Sequence, residues 1–147
     1  MLSLIQQPTS DTCTSACLAM LTGIPVDKVI NEFHQGYFNR DLNPCDYLAI
    51  KGIQHTVNSN PYNNNCDWGC AYLVAVPSLN IEAGMHNIII DCTGDEIAIL
   101  DPCKGRDGKK HYINWTQEPT GNEVNLKIWM VELAVPKAAL HQFKDGK

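Results

Sequence analysis

The ten residues from Cys13 to Thr22 form a helical segment with almost no polar face: Ala16, Cys17, Leu18, Ala19, Met20 and Leu21 run consecutively through it. Such a helix has no surface to offer solvent and must be buried on most sides. The rest of the chain therefore has to wrap it. Asp11 or Thr12 suits the cap before the helix, and Gly23 suits the left-handed residue that ends it.

Two further helices follow. Pro25 is suited to a first helical turn, and Val26, Val29, Ile30 and Phe33 recur at i, i+3, i+4 and i+7, with Gly36 as the expected stop. A third helix opens with Asn43 as cap, Pro44 at the first position and Asp46 in the first turn, and ends at Gly52. Beyond residue 70 the pattern changes. Segments 71–76, 86–92, 96–100 and 126–135 are rich in β-branched and aliphatic residues and read as strands. Stretches 58–65 and 116–125 read as loops, and the tail 136–147 as a short helix with a frayed end. Helices first and strands second predict an α+β domain, with N-terminal helices packed on a C-terminal antiparallel sheet. A length of 147 residues fits a single domain spanning 1–147.

The net charge of −5 argues against nucleic acid as a partner, and the basic cluster from Lys104 to Lys110 is short and broken by glycines. The apolar runs are too short for a membrane span, and the start of the chain lacks an export signal. Seven cysteines, an odd number, point to free thiols in a reducing compartment, so the expected location is the cytoplasm.

Among these cysteines Cys13 stands apart. It lies in the first turn of a buried helix, where partial positive charge and free N–H groups favour a thiolate. A thiolate nucleophile needs a histidine to take and return a proton. His34, His55, His111 and His141 lie at element ends or in the tail, whereas His86 opens the apolar strand His86-Asn87-Ile88-Ile89-Ile90. An acceptor must then orient the imidazole. With Thr93-Gly94 as a two-residue turn, His86 pairs with Asp101. With Gly94-Asp95 at the turn, the two are diagonal neighbours on one face. A three-residue loop would separate them. Gln7, six residues before Cys13, supplies an amide for a developing oxyanion, with Gln6 one position away as the alternative.

The segment Gln7-Pro8-Thr9-Ser10-Asp11-Thr12-Cys13-Thr14-Ser15-Ala16-Cys17-Leu18-Ala19-Met20 resembles the nucleophile segment of papain-like cysteine peptidases, above all the bacteriocin-processing (double-glycine) group. Gly23-Ile24-Pro25-Val26 and Ile99-Leu100-Asp101-Pro102 are similar to the later segments of small members of that group. The resemblance covers about residues 5 to 115. It implies a papain-like fold and a peptidase or amidase, with Cys13 as nucleophile, His86 as base, Asp101 as orienter and Gln7 as oxyanion donor. It also implies an acyl-enzyme thioester, a peptide or protein substrate and no cofactor. Two positions depart from the family pattern: Thr14 stands where glycine is usual, and Asn87 where a bulky apolar residue is usual.

Three other readings accompany this one. The same triad serves a deamidase or transacylase equally well. A binding module or inhibitor of a cellular protein could retain it without turnover. The pair Cys66 and Cys70, with Cys92, Cys103 or His111, offers metal-ligand types, but the Cys-x3-Cys spacing occurs once without a matching second pair. The loop 58–65, with Tyr62 and Trp68 nearby, reads either as a lid over the site or as plain surface. Spacing leaves the oligomeric state open.

Overall fold

The computed structural model describes residues 2–144. Helix α1 (Cys13–Thr22) has the expected bounds, and Gly23 ends it at φ 79°, its N–H closing on the Ala19 carbonyl. Thr12 occupies the cap position without capping. Its hydroxyl instead bonds the backbone of Thr9. The first N–H groups of α1 are thus not consumed by a capping side chain.

The second helical stretch runs past its expected stop. Helix α2 (Val26–Val29) continues through a π-helical turn (Ile30–His34) into α3 (Gln35–Phe38). The π turn adds a residue to the ladder and keeps Phe33 stacked on Tyr37 at 5.0 Å. Gly36 sits inside α3 rather than after it. Its missing side chain makes room for Leu42, whose Cδ1 would lie 2.8 Å from a Cβ there. The chain reverses instead at Arg40, φ 65°. Helix α4 (Pro44–Ile50) opens with the expected box, in which Asp46 accepts the Asn43 backbone N–H at 2.9 Å.

Five strands form the main sheet: β1 (Thr56–Val57), β2 (Cys70–Pro77), β3 (Met85–Asp91), β4 (Ala98–Leu100) and β7 (Met130–Pro136), in the order β1-β7-β2-β3-β4 and antiparallel throughout. The α+β class is therefore as expected. Some strand bounds are not. The last strand starts at Met130, not at 126, and two short strands, β5 (His111–Ile113) and β6 (Glu123–Asn125), pair in parallel as a small second sheet. Strand β6 lies inside the stretch that reads as a loop. The tail forms a 3-10 turn (Lys137–Ala139) rather than an α-helix; residues 145–147 of the expected frayed end lie outside the described residues.

Strands β2 and β3 are buried on both faces, which explains their unbroken apolar runs. Leu73 and Ile89 pack with Leu18, Met20, Leu21, Phe33 and Leu48 beneath the helices. Tyr72, Val74, Ile88 and Ile90 face a second cluster with Tyr112 and Leu126. The first core packs α1 against β3. No helix among the described residues is long and apolar enough to cross a membrane.

Candidate active site

Cys13 is the first residue of α1, and His86 the second residue of β3. Packing of α1 on β3 brings them to one cavity, which both line. The ladder Asp91↔Ala98, Ile90↔Ile99, Ile89↔Leu100 has the register centred on Gly94-Asp95, carried by a loop wider than a two-residue turn. Extended by one step, that register sets Asp101 opposite Ile88, diagonal to His86. The diagonal is close enough: His86 Nε2 donates to Asp101 Oδ1 at 2.7 Å.

Asp101 is 2% exposed and fully engaged. Its Oδ1 also accepts the Cys103 N–H at 2.9 Å, and its Oδ2 accepts the Tyr112 N–H at 2.8 Å. Three donors thus fix the carboxylate, which fixes the imidazole. Strand β5, which carries Tyr112, has no sequence expectation behind it, yet it anchors the carboxylate.

The electrostatics follow from this geometry. Burial pushes the Cys13 thiol up, but the His86 hydrogen bond and charge, with the Asn87 backbone N–H, outweigh it and leave the thiol below its ordinary value. For His86, burial acts downward, yet the bonds to Asp101 and Cys13 lift it to about 9. Both directions favour a thiolate–imidazolium pair. By contrast, burial pushes Cys66 to about 12 and Cys92 to about 11, and raises Cys17 and Cys103.

Gln7 is 1% exposed. Its Nε2 donates to the Thr9 carbonyl at 2.8 Å and its Oε1 accepts the Cys103 thiol at 3.4 Å. Its backbone N–H bonds the Pro102 carbonyl at 2.9 Å, tying the segment before α1 to the residue after Asp101. Gln6 is exposed and bonds the Lys104 carbonyl, away from Cys13. Three of the other histidines are engaged elsewhere, His34 with Asp11, His55 with the Ile53 carbonyl and His141 with the Met20 carbonyl, while His111 Nε2 lies 3.9 Å from Glu123 without a hydrogen bond.

A cavity of about 370 Å3 opens beside Cys13 and His86. The loop 58–65 does not line it. That loop is stitched to the start of β7, where Asn64 accepts from Trp129 Nε1 and from the Val131 N–H. The cavity walls come instead from α3, from the 81–85 turn and from Glu132 on β7. Sequence reading missed Tyr37 and Glu132. The signal for Glu132 lay in Thr14 and Asn87, the polar residues that directly follow Cys13 and His86. The Thr14 hydroxyl donates to Asn87 Oδ1 at 2.6 Å, and Asn87 Nδ2 donates to Glu132 Oε2 at 2.7 Å.

Among the described residues, the metal-ligand types that converge are His86, Asp101 and Cys103, with ligand atoms within 4.8 Å of one another. The first two already share a hydrogen bond, with which a metal would compete. Cys66, Cys70 and Cys92 belong to the second core and do not form such a group. No family model, no curated protein and no solved structure matches this chain.

Proposed function

We propose that this protein is a papain-like cysteine hydrolase of peptide or amide bonds that works in the cytoplasm. The observation that carries the reading is the convergence of Cys13 and His86 on one cavity with the His86 imidazole bonded to the buried Asp101 carboxylate, an arrangement in which the thiol is depressed while the imidazole is raised. The helix-on-antiparallel-sheet arrangement, with the nucleophile at the start of the buried helix, supports the papain-like architecture.

In the reaction the Cys13 thiolate attacks the substrate carbonyl, and an S–C bond forms. The oxyanion lies against the uncapped start of α1 and the second Nε2 hydrogen of Gln7. The His86 imidazolium gives its proton to the leaving nitrogen, the C–N bond breaks and a thioester remains. Neutral His86 then takes a proton from water, which attacks the thioester and releases the acid. An amine in place of water gives transacylation, and a side-chain amide in place of the backbone gives deamidation.

The test is limiting iodoacetamide across the neutral range, with the alkylated site mapped by mass spectrometry. Preferential labelling of Cys13 below the range of ordinary thiols, lost in His86→Ala, supports the hydrolase. Slow, uniform labelling of several cysteines rejects it and leaves a binding module.

A further inference from the structure

Glu132 is an acid in an unusual place. It projects from β7 into the cavity beside Cys13, and the sheet and helices exclude most solvent from it. Among the described residues the side chain that bonds it is Asn87, through Oε2. No lysine or arginine of the described residues makes an ion pair with it. Burial raises its carboxyl above the ordinary range, and the single Asn87 bond only partly opposes this. Asn87 has both of its donors committed: its Nδ2 serves the Val74 carbonyl and Glu132, while its Oδ1 takes the Thr14 hydroxyl. The network thus positions Glu132 and leaves Oε1 for something that enters from the cavity.

The rim differs in character from the floor. Phe38 is 54% exposed, Ile81 54% and Met85 65%, and all three line the same opening. A ligand entering here passes apolar walls, with the exposed Asp11 beside them, and meets the half-buried Glu132 further in. That sequence of surfaces matches a side chain with an aliphatic stem and a cationic end. Pairing with a cation is also what compensates a carboxylate held out of water.

We propose that this cavity is a substrate subsite for a lysine or arginine side chain, with Glu132 as the specificity-determining residue, next to the bond that Cys13 attacks. The assignment rests on the hydrolase reading and narrows its substrate class to peptides or proteins carrying a basic residue at that position. Asn87 and Thr14 act as positioning residues for Glu132.

Two measurements separate this inference from the reading beneath it. The first needs no chemistry at sulfur. Cys13→Ala protein is titrated with N-acetyl-lysine methylamide and with the norleucine equivalent, and the Asn87 side-chain amide resonances are followed. The lysine compound should shift them and bind about tenfold more tightly, as a charge-assisted bond requires. Glu132→Gln should erase that difference. The second measurement compares acylated lysyl and norleucyl chloromethyl ketones as labels of Cys13 in the wild type, with the same preference expected. Equal behaviour of the two compounds in the wild type overturns the subsite, whatever the reactivity of Cys13. Selective lysine binding to a protein whose Cys13 is unreactive supports the subsite and overturns the hydrolase.

Discussion

Thr14 and Asn87 meet across 2.6 Å, hydroxyl to side-chain carbonyl, each one residue beyond a member of the triad. The contact couples the first turn of α1 to the beginning of β3. It sets the spacing of Cys13 and His86 through their immediate neighbours. Thr14→Val keeps the shape and removes the donor, so Asn87 Oδ1 loses its partner in a buried site. Urea unfolding should show a loss of about 1–3 kcal/mol, and Thr14→Ser should restore most of it.

The pH dependence of Cys13 follows from two opposite shifts. Its thiol lies below its ordinary value, while His86 is lifted from 6.5 to about 9. Between those limits the pair is thiolate and imidazolium. Acyl transfer should therefore fall above pH 9 or so, where His86 loses the proton it must donate. In His86→Ala the midpoint of Cys13 alkylation should move up, because burial then acts with less opposition. Stability carries the matching sign. The raised His86 contributes in full below its unfolded value and loses that contribution as pH rises through about 9. The depressed Cys13 contributes at high pH and loses its share as pH falls through its folded value. The share of the urea midpoint that comes from the charged imidazole should therefore shrink as pH rises through about 9.

Asp101→Ala should be the most damaging of the triad substitutions for the fold. It orphans the buried N–H groups of Cys103 and Tyr112 as well as the imidazole. A loss of about 2–5 kcal/mol is expected for a buried network of this kind. Asp101→Asn keeps the shape but sets an NH2 against one of these N–H donors, so it should cost part of that stability while slowing acyl transfer by about a hundredfold or more. Thermal denaturation and single-turnover acylation separate the two effects.

Gln7→Ala removes the side-chain donor proposed for the oxyanion, and the rate of acylation should fall by about 10²-fold to 10³-fold. Iodoacetamide alkylation of Cys13 passes through no oxyanion, so it should fall far less. A parallel loss in both would mean that Gln7 only supports the loop at Thr9 and Cys103.

Much of this architecture is legible in the residue order. Helix α1 is visible because an apolar run between a cap position and Gly23 has few alternatives. Helix α4 is visible because Asn43, Pro44 and Asp46 are local signals. The relation of His86 to Asp101 is legible because strand parity survives a change in loop width: the loop is wider than a two-residue turn, yet its centre preserves the face. What escapes the sequence is non-local. The π turn that carries the helix past Gly36 depends on Phe33, Tyr37 and Leu42 packing together. Strands β5 and β6 have three residues each, too few for a periodic pattern, and exist because they cover the outer core. Glu132 looks like an ordinary polar residue alternating in a strand. Only the pairing of β7 with β2 carries it to the cleft.

The anchoring of Asp101 by Tyr112 has a consequence in time. A ribosome delivers Cys13 well before His86, and His86 before Tyr112, whose N–H steadies the Asp101 carboxylate. The acid at the cleft follows as residue 132. Until residues 86 and 87 have been made and packed against α1, Cys13 lacks the imidazole and the backbone N–H that depress its thiol. A nascent chain shorter than that therefore carries an ordinary cysteine.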